Sequence, residues 1–166
     1  MENKQTIFDE LFVRYRDWVY RLCYSYTNSE TEAEDLVQEC FTKVWLNLSD
    51  FKHRSDYSTW IYRIATNTCL MQIRREKNNP VNYREQLQDK ALEEYNKDKE
   101  KQSESLYRAI SKLNEIDRLI ISMVLEGIAQ KQIGEVLGIT ENNINVKVHR
   151  IKSQLKEMLL NYQSYG

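Results

Sequence analysis

Helix breakers are almost missing from this chain. Its 166 residues include four glycines and a single proline, Pro80. Proline removes a backbone donor and glycine is entropically costly in a helix, so long tracts without either are free to be continuous helices. Apolar residues fall on helical spacing to match. Ile7, Leu11, Phe12, Tyr15, Trp18, Val19, Leu22 and Tyr26 recur every three or four positions, and so do Leu36, Val37, Cys40, Phe41, Val44, Trp45 and Leu48. A composition 41% hydrophobic and 30% charged suits a soluble all-α protein. No apolar run approaches the roughly 18 residues that read as a membrane span, and residues 1–7 lack an apolar signal core. A cytoplasmic location is expected.

Punctuation then divides the chain. Thr27-Asn28-Ser29 ends the first helix and can cap a second over about 30–48. A polar loop with embedded aromatics covers Ser49 to Tyr57, and Ser58 or Thr59 can cap a third helix reaching about Lys77. Around Pro80 the chain turns rich in Gln, Glu, Asp and Lys. This predicts two small helical domains, 1–78 and 105–163, joined by a polar linker over 79–104. In the second domain Asn114 can cap a helix that ends before Gly127. Segments over about 129–137 and 141–158 flank Gly138-Ile139-Thr140.

The formal net charge of −1 hides an uneven distribution. Residues 1–50 carry five bases and ten acids, residues 51–78 six and two, and residues 140–166 four and two. Two basic segments set among acidic ones suit a protein that touches nucleic acid at two places and another partner through an acidic surface. Cys23, Cys40 and Cys69 lie far apart, with no C-x-x-C pair, so buried thiols are expected and no metal site. No cofactor-binding motif is present.

The segment 128–151 has helix-turn-helix grammar. Gln132, Ile133, Val136 and Leu137 pattern a short helix, Gly138 lets it end abruptly, Ile139 fills the angle and Thr140 caps a longer helix with Ile144, Val148, Ile151 and Leu155 inward. The face left outward presents Asn143, Asn145, Lys147 and Arg150. Their amides and cations suit base edges and phosphates in a major groove.

Other segments carry a family resemblance. Ala33-Glu34-Asp35-Leu36-Val37-Gln38-Glu39-Cys40-Phe41-Thr42-Lys43-Val44-Trp45, then Phe51-Lys52-His53-Arg54 and Ser58-Thr59-Trp60-Ile61-Tyr62-Arg63-Ile64-Ala65-Thr66-Asn67, resemble the second conserved region of the extracytoplasmic-function (ECF) sigma factors of bacterial RNA polymerase. Ile133-Gly134-Glu135-Val136-Leu137-Gly138-Ile139 and Val148-His149-Arg150 are similar to that family's closing helix-turn-helix. The likeness spans roughly residues 5–78 and 105–158 in the family's order. It implies a transcription initiation factor, not an enzyme, that binds core RNA polymerase and promoter DNA.

By position, the resemblance implies core polymerase contacts at Asp35, Gln38 and Glu39. It implies −10 contacts at Phe51, Lys52, His53, Arg54, Tyr57, Trp60, Arg63 and Asn67, where aromatic walls and cations suit capture of an unstacked base. Trp60 shares its helix with Ile61, Ile64 and Ala65, so packing competes with a DNA role there. Arg74 continues the spacing of Arg63 and Asn67. The −35 contacts implied are Asn143, Asn145, Lys147, His149 and Arg150. The sequence departs from the family at Asn145, commonly basic, at Asn142-Asn143, commonly Gly-Thr, and at Ala129, where a capping serine is usual. The two-domain group implied is commonly held by an anti-sigma factor, a partner expected here as well.

Two other classes are weighed against this. A dimeric repressor using the same helix-turn-helix needs a self-complementary interface, and no heptad or symmetric apolar patch is evident; a monomer is expected. An enzyme needs a phosphate loop, nucleophile elbow or ligand cluster, none of which is present.

Overall fold

The computed structural model describes residues 3–27, 29–78 and 99–164, and every regular element among them is helical. The chain divides into two compact units, one ending at Asn78 and the other holding the helices from Lys99 onward. The first unit contains α1 (Lys4–Thr27), α2 (Glu30–Asn47), a 3-10 turn (Leu48–Asp50) and α3 (Tyr57–Lys77). The second contains α4 (Lys99–Ser111), α5 (Glu115–Leu125), α6 (Gln130–Leu137) and α7 (Glu141–Ser164).

In the first unit each helix packs on the other two. The apolar stripes read from the sequence are what they bury: Leu11, Trp18, Val19 and Leu22 from α1, Leu36, Val37, Phe41 and Val44 from α2, Ile61 and Ala65 from α3. Burying such a side chain stabilises by roughly 1.5–3 kcal/mol, which outweighs the modest helix propensities of the β-branched and aromatic residues. Phe12 meets Phe41 edge-on at 4.8 Å, and Trp18 lies 4.1 Å from Tyr62. One cysteine from each helix enters this core. Cys23, Cys40 and Cys69 are free thiols with no exposed surface, and Cys69 Sγ lies 3.8 Å from Cys23 Sγ. Burial pushes the Cys40 thiol up to about 12, and Cys69 is raised by its hydrogen bond to Cys23 and by burial. The expectation of buried thiols holds.

Local chemistry sets the joints. Ser29 caps α2, its Oγ accepting from the Glu32 amide at 3.4 Å, and Thr27 donates its hydroxyl back to the Cys23 carbonyl at 3.2 Å. The start of α3 differs from the expected cap at Ser58 or Thr59. Asp56 takes that position in an extended conformation (φ −65°, ψ 155°), with its carbonyl accepting from the Trp60 amide at 3.1 Å. Thr59 instead lies inside the first turn of α3 and is buried.

In the second unit α7 packs against α4, α5 and α6. The core gathers Ala109, Ile110, Leu113, Leu119, Ile120, Met123, Ile133, Ile144, Val148, Ile151 and Leu155. Asn114 caps α5, accepting from the Asp117 amide at 2.9 Å. Of the linker expected over 79–104, residues 79–98 lie outside the described ones, and from Lys99 the chain is already helical. The second unit thus begins its first helix ahead of Ser105. The last helix also runs past residue 158 to Ser164, with no glycine or proline to stop it.

The helix-turn-helix depends on two glycines with different reasons. Gly138 ends α6 in the left-handed region (φ 69°, ψ 32°), where a side chain is strained. Gly134 has no such dihedral, but a Cβ on it would sit 2.5 Å from the Ile139 carbonyl oxygen. The Ile139 amide donates to Gly134 O at 2.9 Å, so the turn folds directly onto the preceding helix. Thr140 then caps α7, its Oγ1 accepting from the Asn143 amide at 3.3 Å. Ala129 occupies the N-cap of α6 with extended dihedrals and no side-chain cap.

Candidate nucleic-acid and protein interfaces

On α2 the expected polymerase-facing residues separate into two kinds. Asp35 and Gln38 are exposed, turned away from the core stripe. Glu39 is half-buried and engaged within the unit: Lys43 Nζ lies 2.7 Å from its Oε1, and Arg75 Nη1 lies 3.5 Å from its Oε2. Lys43 also donates to Thr68 Oγ1 at 3.1 Å. The hydrogen bond from Lys43 is the main reason the Glu39 carboxyl titrates below the usual carboxylate value, with Arg75 adding to it. Glu39 therefore braces α2 against α3, a role that Lys43 and Arg75 reveal only once the helices are packed.

The loop after α2 assembles an aromatic platform. Phe51 is its centre, stacked on Tyr57 at 4.5 Å, with Trp60 at 4.8 Å and His53 edge-on at 4.7 Å. His53 is exposed and sits at φ 51°, the one non-glycine residue with positive φ among those described. A left-handed conformation in a non-glycine residue is sparsely populated and persists only where its surroundings hold it, as the rings of Phe51 and Tyr57 do here. Lys52 and Arg54 flank it and are exposed. Trp60 is half-buried, one part packed in this cluster and one part accessible. From the platform, Arg63, Asn67 and Arg74 continue along one side of α3, all exposed. Aromatic faces beside a cationic and amide-bearing track are the parts a single-strand binding groove needs.

On α7, Asn143, Asn145, His149 and Arg150 are exposed and Lys147 is half-buried. The structure qualifies Arg150. Its Nη2 lies 3.0 and 3.2 Å from the two carboxylate oxygens of Asp117, on the first turn of α5. Sequence reading assigns no contact role to Asn142, noted only as a departure from the family pattern, or to Val146, and both are exposed on the side of α7 opposite Ile144 and Val148. Helical angle alone identifies them, since each stands two positions from a buried residue.

A three-helix unit with an aromatic platform beside exposed cations and a second unit built on a helix-turn-helix together define a two-part DNA-binding transcription factor. The comparisons narrow this. The description Sigma-70 region 2 matches residues 11–79, and Sigma-70, region 4 matches residues 103–155. The ECF RNA polymerase sigma factor SigW of Bacillus subtilis is 29% identical over 171 residues, covering 95% of this chain and 91% of its own length. The RNA polymerase sigma factor YlaC of the same species is 25% identical, covering 95% and 94%. Among solved structures, RpoE of Bartonella quintana in complex with the anti-sigma factor NepR aligns with a TM-score of 0.72 at 20% identity, over 92% of this chain and 96% of that one. CnrH in complex with the cytosolic domain of CnrY aligns at 0.69 and 21% identity, over 95% and 89%.

The chain belongs to the sigma-70 family, as an ECF sigma factor. Its function is promoter-specific transcription initiation with RNA polymerase. No helix among the described residues is long and apolar enough to cross a membrane.

Proposed function

We propose that the two units divide the promoter between them. The first unit opens the −10 element and holds an unstacked base on the Phe51, His53, Tyr57 and Trp60 platform, with Lys52, Arg54, Arg63 and Asn67 along the strand. The second holds the −35 element through Asn143, Asn145, Lys147, His149 and the accessible part of Arg150. Asp35 and Gln38 form the polymerase-facing surface, and Glu39 keeps that surface in place through Lys43 and Arg75. The observation that carries the reading is the ring cluster around Phe51, which places stacking faces and exposed cations at one end of α3. Base–aromatic stacking is worth roughly 1–3 kcal/mol per base, enough to hold one nucleotide out of a duplex at a weak step.

Each unit alone has a small footprint, so strong promoter binding depends on core polymerase aligning the two and making the second contact intramolecular. The chain acts as a monomer within the cytoplasm and carries no catalytic step of its own; polymerisation belongs to the core enzyme. An anti-sigma factor of the kind bound to the Bartonella relative is the expected inhibitory partner. The test is reconstitution. Core enzyme with this protein should start transcripts at discrete sites of a genomic promoter library, with thymines near the start reactive to permanganate. Tyr57→Ala should keep core binding and lose that reactivity. Absence of any discrete start across the library would remove the proposal.

A further inference from the structure

The outward side of α7 contains an apolar residue that neither the core nor the polar readout explains. Four residues of Glu141–Ile151 are apolar, and Ile144, Val148 and Ile151 are buried. Val146 is 64% exposed, in the second turn, on the side of the helix away from those three. A scattered surface apolar residue is ordinary by itself. The surroundings of this one are not. Asn142 one turn before it, Asn143, and His149 nearly one turn after it are exposed and polar, and the whole stretch belongs to the early turns of the second helix of a helix-turn-helix, which meet base edges.

We propose that Val146 selects a thymine in the upstream promoter element, its methyl groups packing on the C5-methyl group in the major groove; this rests on the reading of α7 as the DNA-facing helix. The thymine methyl is the one apolar group that base pairs display there. Against cytosine, valine would cover an amino donor without pairing it, and against either purine an acceptor, so the three other bases leave a polar group desolvated and unsatisfied. Asn142 and Asn143 carry amides that match the adenine edge, so the flanking side chains are compatible with an A·T-containing site. Val146 is then a specificity residue rather than an affinity residue, because it makes no phosphate contact.

The experiment uses holoenzyme assembled from core polymerase and the full chain, on a promoter recovered from the genomic library. Each thymine of the protected upstream element, on both strands, is replaced singly by deoxyuracil, which deletes only the methyl group. One position should lower affinity about fourfold, the worth of one buried methyl group. Val146→Ala should show a similar loss on the unmodified promoter and no further loss with deoxyuracil at that position, while Val146→Thr, which keeps a methyl, should retain the sensitivity. Unchanged thermal unfolding of both variants verifies that the helix is intact. An equal deoxyuracil effect in wild type and Val146→Ala, or no sensitive thymine in a protected element, overturns the inference while leaving the reading of α7 standing. Absence of any upstream protection by the wild-type holoenzyme, with core binding retained, overturns that reading and the inference with it.

Discussion

Arg150 Nη2 bridges both carboxylate oxygens of Asp117, at 3.2 and 3.0 Å, and so fastens α7, the second helix of the helix-turn-helix, to the first turn of α5. The two partners differ in surroundings. The Asp117 side chain is 3% exposed and also accepts from Asn114 Nδ2 at 2.7 Å, whereas the Arg150 side chain is 54% exposed. Deleting the arginine therefore strands a buried carboxylate, while deleting the aspartate releases a cation that water can reach. Stranding one partner of a fully buried pair costs roughly 3–5 kcal/mol, and the exposure of Arg150 brings the expectation for Arg150→Ala to about 2 kcal/mol. Asp117→Asn in the same background should recover part of it. Trp18, Trp45 and Trp60 all lie in the first unit, so the loss should appear in helicity on urea unfolding and leave the tryptophan fluorescence transition in place. Lys147→Ala should move neither transition, yet lower the salt slope of promoter binding by about one.

Ala129 offers a gain. It holds the N-cap of α6 with φ −62° and ψ 140°, the extended geometry a capping serine adopts, but has no side-chain oxygen to offer the first-turn amides. Ala129→Ser should raise the stability of the second unit by about 1 kcal/mol, the usual worth of such a cap. A urea midpoint no higher than wild type would mean those amides are already satisfied.

How much of this was legible beforehand follows sequence separation. Asn114, Ser29 and Thr140 were readable as caps because a cap is a short-range device, settled within three residues. The core stripes were readable because helical period alone assigns a side. Thr59 misled because a threonine near a helix start satisfies the capping pattern equally well when it is one turn inside and buried. The Asp117–Arg150 pair, 33 residues apart, and the Glu39–Arg75 contact arise only when helices pack, and no spacing rule announces them. In the loop after α2 the aromatic types were readable, but the left-handed backbone of His53 was not, since nothing about histidine at that position calls for it.

Gly134 and Gly138 make a paired test of what holds the turn. Gly138→Ala meets no atom within 4 Å and is strained only by its positive φ, a cost of about 1–2 kcal/mol. Gly134→Ala places a methyl 2.5 Å from the Ile139 carbonyl oxygen, a backbone atom that cannot swing aside. It forces α6 and the turn apart and should cost about 3 kcal/mol, at the upper end for overpacking. Promoter protection upstream should be lost in Gly134→Ala at temperatures where Gly138→Ala retains it. Equal destabilisation would show that the turn yields more than its geometry indicates.

Glu39 gives the first unit a pH dependence of defined sign. Its carboxyl is held below the ordinary value of 4.5 in the folded chain, chiefly by the Lys43 hydrogen bond and further by Arg75. A carboxylate whose folded value is depressed contributes its stability above the unfolded value and loses it as pH falls through the folded one. The contribution should be complete at neutral pH and decline from about pH 5 downward. Glu39→Gln removes the charge at every pH, so wild type should be the more stable at pH 7, with the gap narrowing steadily toward pH 3. Urea midpoints followed by tryptophan fluorescence report this unit, since all three tryptophans belong to it. A gap that stays constant with pH would mean that the Lys43 and Arg75 contacts contribute through packing, and that the charge on Glu39 contributes nothing to holding α2 against α3.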